Sequence, residues 1–342
     1  MDEKGWLLVL SFLVFILFFP KTYMHGDAPG YIDMTRFYLG QYEGKLEPPT
    51  ANCRTLRPLL PWISAIPYYF FPSKYTILAI NSVISVASLF VLMRLGKSFG
   101  LSGKESFYSA FAMLFSKYYF NYGFTLFVYP LGILVFVLLL NGLAKKWLPE
   151  RLGLLGLAGL LAIPTAVTGV LLPPFAYFLK KQWKSIVSYL GVILVIMLVY
   201  QLHTTATYGC NYFYEREMQY KVTSTRPLGL WILPGLFLSW LAVQHVPLTA
   251  CMLLGFEKRS GLLRTGFFFT LVTSAALVIF WKEDGLRMFL SYLPFASMYA
   301  GKGIGKVVEW LSGKTRFAEP LVLGTIGVAS VLLSAKWVWI FG

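Results

Sequence analysis

The chain has 342 residues and a net charge of +15, and it is 57% hydrophobic but only 13% charged. Soluble chains carry about a quarter charged residues, so this composition excludes an ordinary soluble enzyme. The excess positive charge does not indicate nucleic-acid binding, because the lysines and arginines lie in short clusters between apolar runs, as they do in the cytoplasmic loops of membrane proteins.

Apolar runs of about 20 residues recur along the chain and predict an all-α, polytopic transmembrane bundle of about eleven helices, forming one domain over residues 1–342. The first run, 5–22, follows the acidic start MDEKGW and precedes no small-x-small cleavage site, so we expect a retained membrane helix. Further helices are expected at roughly 75–95, 105–120, 123–144, 184–204, 233–255, 262–281, 287–301 and 318–341, with a proline-interrupted hairpin of two short helices over 152–179.

Basic clusters between these helices orient the bundle. The positive-inside rule places them in the cytoplasm with the N-terminus, which leaves three outer segments at about 23–74, 205–232 and 281–287. Within the first, the short apolar stretch RPLLPWISAIPYYFFP (57–72) is expected to lie at the membrane interface or to re-enter the bilayer. We therefore expect a multi-pass membrane protein whose polar, active face lies outside the cytoplasm. The basic clusters are Arg94, Lys97 and Lys104; Lys145, Lys146 and Arg151; Lys180, Lys181 and Lys184; Lys258, Arg259 and Arg264; and Lys302, Lys306, Lys314 and Arg316.

The stretch HGDAPGYID, which follows the first apolar run, carries the first candidate site residues. Asp27 lies between Gly26 and Pro29, where the backbone is expected to turn. A carboxylate there can act as a general base toward a hydroxyl nucleophile, or it can cap a helix that begins near Pro29. Both interpretations stay open. His25 adjoins Asp27, and Asp33, about two helical turns on, is expected to be structural or to support the site indirectly.

Three arginines in the outer segments are candidate phosphate ligands. Arg54 and Arg57 would share one face of a helix, and a guanidinium binds phosphate through paired hydrogen bonds. Lipid headgroups are the alternative ligands for this pair. Arg287 stands at the outer start of an apolar run, where an arginine is costly unless it is paired or hydrated. It can hold a phosphate there, or it can extend its charged end to the headgroup level or pair with Asp284 or Glu283.

Several other motifs limit the chemistry. No H-E-x-x-H or C-x-x-C spacing occurs, so we predict no metal site and no cofactor. Use of a divalent cation stays open as an alternative. No phosphate-binding loop for ATP occurs either. Cys53 and Cys210 both fall in outer segments and can form a disulfide there. The glycine cluster GKGIG (301–305) is predicted to be a turn at a cytoplasmic helix end.

Three stretches together resemble the GT-C superfamily, polytopic glycosyltransferases that take a sugar from a polyprenyl-phosphate carrier and that include mannosyltransferases. GDAPGY follows the first helix, where such enzymes place an outward acidic motif. NCRTLRPLLPWISAIPYYFF is similar to their Arg-then-PLLP stretch, and DGLRMFLSYLPFASMYAGKGI is similar to their late R-x6-P helix, with Arg287 and Pro294 matching. The chain departs from the pattern where Ala28 replaces a second acid, and where AIPTAVTG (162–169) carries no charge.

The resemblance implies a membrane glycosyltransferase that moves a sugar, mannose among the options, from a polyprenyl phosphate to a hydroxyl of a lipid, glycan or protein acceptor. It implies an inverting displacement at the outer face, with Asp27 as the base and with Arg287, aided by Arg54 or Arg57, balancing the phosphate. Tyrosines of the outer side are candidates for stacking on sugar rings, with an interfacial aromatic belt as the alternative role. They are Tyr31, Tyr119, Tyr122, Tyr212 and Tyr214.

Two other functions fit parts of the sequence. A lipid-linked glycan flippase, a glycan polymerase or another transporter needs charged groups along a path across the bilayer, whereas most ionisable groups here cluster at one surface. A non-catalytic partner subunit of a glycosylation complex would tolerate Asp27→Asn and would not bind the carrier.

Overall fold

The computed structural model describes residues 2–22, 28–41, 58–126, 128–163, 166–208, 245–257, 261–281 and 289–341. Within these ranges all regular structure is helical, which confirms the all-α expectation, and no strand occurs among them. The helices, numbered in chain order, are α1 (Glu3–Thr22), α2 (Ala28–Tyr38), α3 (Leu59–Phe70), α4 (Lys74–Ser98), α5 (Gly103–Leu114), α6 (Lys117–Tyr122), α7 (Tyr129–Ala144), α8 (Pro149–Ala162), α9 (Val167–Val170), α10 (Leu172–Leu179), α11 (Trp183–Tyr208), α12 (Val246–Gly255), α13 (Gly261–Trp281), α14 (Leu293–Ser312) and α15 (Ala318–Phe341).

The exposed apolar face of α11 indicates a membrane protein. Residues Trp183–Ala206 are long and apolar enough to cross a bilayer, and only 11% of the apolar window is buried inside the protein. Val187 is 71% exposed, Leu194 is 65% exposed and Leu202 is 63% exposed. Soluble monomers rarely expose an apolar patch of this extent, so the exposed face of α11 favours a position facing lipid. Among the described residues α4 is the other helix of sufficient length and hydropathy, and the number of crossings stays a prediction.

Two of the predicted helices are interrupted or shortened. The helix expected at 105–120 is divided into α5 and α6, because the Ser116 side chain accepts a hydrogen bond from the Tyr119 N–H at 3.1 Å and starts a new helix there. The helix expected at 123–144 begins only at Tyr129, and the residues before it form a connection. The predicted hairpin is present as α8, α9 and α10, with the very short α9 as an addition.

The prediction that GKGIG forms a turn is wrong. These residues lie inside α14, which continues to Ser312. Glycine is needed there because α14 fits between two other helices: a Cβ on Gly301 would overlap Ser109 of α5, and a Cβ on Gly303 would overlap the carbonyl of Cys251 in α12. The glycines therefore allow close helix approach, as small residues do in membrane bundles.

Ion pairs join the helices at the end of the bundle where α5 begins, called here the basic end. The Lys302 Nζ lies 2.8 Å from a Glu257 carboxylate oxygen, and the Lys306 Nζ donates to the Leu254 carbonyl at 3.1 Å. The Lys302 ammonium holds the pKa of Glu257 below its usual value. Glu319 at the start of α15 accepts from Lys104 at 3.0 Å and from the Tyr108 hydroxyl at 2.8 Å.

Replacing Gly303 by alanine tests the close packing of α14. We expect Gly303→Ala to lower the free energy of unfolding by about 1–3 kcal/mol, because the added methyl group must displace α12. Gly324→Ala is the matched control, since a Cβ at Gly324 meets nothing within 4 Å. Thermal unfolding in detergent measures both variants. Equal melting temperatures for the two would contradict the packing assigned to α14.

Candidate functional site

Most of the site residues expected from the sequence lie outside the described residues. Asp33 is the exception: it lies on α2 and is half-buried. The predicted disulfide and the tyrosines and acids of the second outer segment also lie outside the described ranges. The site residues concerned are His25, Asp27, Arg54, Arg57, Asp284 and Arg287, and the cysteines are Cys53 and Cys210.

The connection between α6 and α7, described for residues 123–126 and 128 and called here the α6–α7 loop, is held by side chains of α4. The Asn81 amide donates to the Thr125 carbonyl at 2.7 Å, and the Ser85 hydroxyl donates to the Gly123 carbonyl. Asn81 and Ser85 are fully buried. A buried carbonyl without a donor costs free energy, so these two bonds fix the loop to the start of α4.

Tyr119 belongs to the same buried network. Its hydroxyl donates to the Ser85 carbonyl at 2.5 Å and lies 2.9 Å from the Ser88 hydroxyl. The side chain is fully buried. Tyr119 therefore stabilises the joint between α4 and α6, and the expectation that it stacks on a sugar is wrong. Tyr31, another of those candidates, is also buried, at 1% exposure.

Helix α2 lies against the α6–α7 loop. Ile32 of α2 and Leu39, which directly follows the helix, pack on a small cluster that contains Leu126 of the loop and Ile77 of α4. Phe124 of the loop contacts Phe15 of α1 edge to face, with 5.9 Å between ring centroids. These contacts place the helix that carries Asp33, and that begins directly after Asp27 in the sequence, at this end of the bundle.

Three tyrosines form an aromatic cluster beside the loop. The Tyr122 and Tyr129 rings have centroids 4.6 Å apart, and Tyr118 is 5.1 Å from Tyr122 and 6.4 Å from Tyr129. Tyr118 and Tyr129 are buried, whereas Tyr122 is half-buried. Of the tyrosines proposed to contact sugar, Tyr122 is the one that the described structure leaves partly open.

The segment 289–292, which follows Arg287 by two positions in the sequence, is anchored at the same end. The Thr168 hydroxyl of α9 donates to the Ser291 hydroxyl at 2.8 Å, and both side chains are buried. A Cβ on Gly132 of α7 would contact Ile163 and Leu290. The uncharged stretch 162–169 thus contributes a hydroxyl and close packing to this segment.

These anchors define one region, called here the mouth: α2, the α6–α7 loop, α9 and residues 289–292. The α6–α7 loop contacts α2 on one side, and α7 directly beyond it contacts 289–292 on the other. The mouth lies at the end opposite the basic end, because α4 begins at the mouth and ends beside the start of α5. Polar and acidic sequence segments adjoin the mouth, while paired lysines lie at the other end.

A short apolar helix flanks the mouth. Trp62 of α3 contacts Tyr38 of α2 at 5.9 Å and Tyr200 of α11 at 6.2 Å between ring centroids. Its outer face exposes Ile66 at 72% and Phe70 at 68%. A helix of 12 residues is about 18 Å long and cannot cross a hydrocarbon core of about 30 Å. Its length and exposed face agree with the expected interfacial position.

Sequence reasoning did not identify the residues that hold the mouth together, although α4 carries a signal. Asn81, Ser85 and Ser88 recur at helical spacing and form one polar stripe on an otherwise apolar helix. The Nε2 of buried His245, which lies in the apolar run predicted as a helix at 233–255, is 2.9 Å from the Ser334 hydroxyl. Among the described residues no group of three or more histidine, cysteine or acidic side chains is placed to hold a metal ion.

Comparison with known proteins gives one informative likeness. No family model and no curated protein matches the chain. Among solved structures, the Archaeoglobus fulgidus oligosaccharyltransferase in the apo form is similar, with a TM-score of 0.52 and 11% sequence identity. The likeness covers 97% of this chain and 56% of the archaeal chain, so this chain spans a little over half the length of that protein. At this identity the likeness concerns the fold alone, and it agrees with the all-helical bundle expected from the sequence.

Replacing Ser85 by alanine removes the hydroxyl group that donates to the α6–α7 loop. We expect Ser85→Ala to lower the free energy of unfolding by about 1–3 kcal/mol, because the buried Gly123 carbonyl loses its donor. Ser82→Ala is the matched control, since the Ser82 hydroxyl donates to the Leu78 carbonyl of its own helix at 2.8 Å. Thermal unfolding compares the two, and hydrogen exchange of residues 123–128 reports on the loop. A larger loss of unfolding free energy in Ser82→Ala than in Ser85→Ala would contradict the role assigned to the Ser85 hydrogen bond.

Proposed function

We propose that this protein is a membrane glycosyltransferase of the GT-C type that moves a sugar from a polyprenyl-phosphate carrier to an acceptor hydroxyl at the mouth. The observation that carries the proposal is the fold: nearly the whole chain matches an archaeal protein that is, by name, an oligosaccharyltransferase. The arrangement of the mouth supports the proposal, because the segments adjoining Asp27 and Arg287 in the sequence are anchored at one end of the bundle.

The proposed reaction is a single displacement at the anomeric carbon. The acceptor oxygen forms a bond to this carbon as the bond from the carbon to the phosphate oxygen breaks. The proton of the acceptor hydroxyl passes to the Asp27 carboxylate, and the electron pair of the broken bond leaves with the polyprenyl phosphate. One displacement inverts the configuration of the sugar, as in inverting glycosidases, where a carboxylate activates the attacking group.

Arginine is proposed to balance the negative charge that develops on the phosphate as its bond to the sugar breaks. Arg287 is the first candidate, with Arg54 or Arg57 as a second cation, because a fixed guanidinium stabilises charge that develops in the transition state. The carrier's hydrocarbon tail needs an apolar surface next to this site. Apolar side chains of α3 and α11 supply one, since both helices expose them beside the Tyr38, Trp62 and Tyr200 contacts.

The sugar and its acceptor are proposed only by class. Mannose, expected from the resemblance to mannosyltransferases, is the first sugar to test, and the acceptor is a hydroxyl of a lipid, glycan or protein. The half-buried Tyr122 is proposed to contact the sugar ring, since an aromatic face packs against the C–H face of a hexose. We propose that the mouth faces outward, as the basic clusters at the opposite end predict.

Replacing Asp27 by asparagine separates catalysis from helix capping. Asparagine caps a helix about as well as aspartate but cannot take a proton, so we expect Asp27→Asn to fold normally and to lose transfer by about 10²- to 10⁴-fold. The measurement is transfer of label from radiolabelled polyprenyl-phosphate mannose by the purified full chain in liposomes, alongside carrier binding.

Asp2→Asn is the matched control, because Asp2 accepts from the Gly5 N–H at 2.9 Å at the far end of α1. Its transfer rate should equal that of the wild type. Undiminished transfer by Asp27→Asn would remove Asp27 from the chemistry and leave it a capping role. A wild type that transfers no sugar from any carrier would contradict the proposed function and favour the partner-subunit or transporter alternatives.

Substitution of Arg287 tests the phosphate role. We expect Arg287→Gln to reduce transfer by about 10²- to 10³-fold, the effect of losing one donor to developing negative charge. Arg287→Lys should recover part of the rate, because it restores the charge without the paired hydrogen bonds. Arg94→Gln, at an exposed arginine of the basic end, is the control and should transfer normally. Equal rates for Arg287→Gln and Arg94→Gln would exclude Arg287 from phosphate stabilisation.

A further inference from the structure

A compact group of unpaired cations lies on two turns of the bundle. The first turn joins α7 to α8 and the second joins α10 to α11. All six cations are exposed. The ion pairs within the described part of the chain involve other lysines. Glu150 is the one acidic residue in the sequence from 141 to 190. The cations, called here the two-turn patch, are Lys145, Lys146, Arg151, Lys180, Lys181 and Lys184.

The two turns lie at the same end because α8 and α11 run in the same direction. A Cβ on Gly153 of α8 would contact the Tyr189 carbonyl of α11, and one turn later a Cβ on Gly156 would contact Ile193. The starts of both helices are therefore side by side. Glu150 at the start of α8 also interacts electrostatically with Tyr177 near the end of α10, which brings the second turn close to the first.

Each turn contains a lysine in an unusual backbone conformation. Lys146 and Lys181 adopt positive φ angles of 55° and 56°, in the left-handed region. Each lysine follows a helix that ends with the same pair of backbone hydrogen bonds. After α7, the N–H groups of Lys146 and Trp147 donate to the carbonyls of Leu143 and Gly142. After α10, the N–H groups of Lys181 and Gln182 donate to the carbonyls of Phe178 and Tyr177. Glycine is the usual residue at this position, so a lysine there twice, with backbone strain, points to a use for its side chain.

Aromatic and apolar side chains fix the patch at the membrane surface. Trp183 begins the span Trp183–Ala206, is 59% exposed and contacts Phe178 edge to face, with 5.5 Å between the ring centroids. Trp147 is 38% exposed on the neighbouring turn. Tryptophans favour the headgroup level of a bilayer. We therefore expect the lysines beside them to lie at the depth of lipid phosphates.

We propose that the two-turn patch binds the headgroup of an anionic phospholipid, with its phosphate between Lys146 and Lys181. Six cations against one carboxylate complement a negatively charged lipid surface, and clusters of lysine and arginine directly beside a membrane helix attract such lipids. The exposed Phe178, Leu148 and Leu179 contact the acyl chains below the phosphate. This binding site lies at the end away from the mouth and is independent of the proposed glycosyl transfer.

The test compares lipid binding by the purified full chain and by a double variant, Lys146→Gln with Lys181→Gln. Native mass spectrometry in detergent measures the apparent Kd for phosphatidylglycerol and for phosphatidylcholine. We expect the wild type to prefer phosphatidylglycerol and the double variant to bind it roughly 10- to 30-fold more weakly, since each cation near an anionic surface contributes about fivefold. Both substitutions are at exposed turn residues, so the fold is expected to persist, and circular dichroism checks it.

The matched control is Arg94→Gln with Lys97→Gln, which removes two exposed cations at the end of α4. It should bind phosphatidylglycerol nearly as the wild type does. Added salt should weaken binding by the wild type more than by the Lys146/Lys181 variant. Two results would overturn the proposal: a wild type with no preference between the two lipids, or equal weakening by both double variants, which would show a general charge effect and no site. A variant that does not fold leaves the wild-type preference and its salt dependence as the deciding measurements.

Discussion

The architecture of the mouth depends on satisfying two backbone carbonyls that lie among apolar helices. Gly123 and Thr125 face the start of α4, and the side chains of Ser85 and Asn81 donate to them. In a bundle surrounded by lipid no water is available to replace such donors, so a carbonyl left alone is costly. The α6–α7 loop is held by this constraint, and α2 packs on it through Leu126. On the far side α7 contacts 289–292, which the Thr168 and Ser291 hydroxyls secure.

The two ends of the bundle serve different purposes. At the mouth, buried hydroxyls and amides fix short segments, and the acidic and arginine-containing stretches of the sequence adjoin those segments. At the basic end, lysines pair with Glu257 and Glu319 to join helices, or stand unpaired in the two-turn patch. Next to the Lys302 ion pair, Gly301 and Gly303 let α14 lie against both α5 and α12.

The sequence allowed the helical class and many helix positions to be predicted, because apolar runs as long as those of α4 and α11 have no other stable arrangement in a bilayer. It did not predict the break at Ser116, since a serine can cap a helix or face its interior, and tertiary contacts decide which. GKGIG was interpreted as a turn because glycine suits both turns and close helix contacts. Tyr119 was proposed to contact sugar, yet it is buried and its hydroxyl donates to the Ser85 carbonyl. Of the proposed site residues the structure describes Asp33, so the roles of Asp27 and Arg287 rest on sequence, resemblance and the anchoring of adjoining segments.

In the proposed mechanism the carrier phosphate binds at the mouth. The most direct measurement is a cryo-electron microscopy structure of the full chain with a polyprenyl-phosphate sugar bound. We expect density for the phosphate between the start of α2 and the segment 289–292, with the hydrocarbon tail running along the apolar faces of α3 or α11. Phosphate density at the basic end, with none at the mouth, would contradict it.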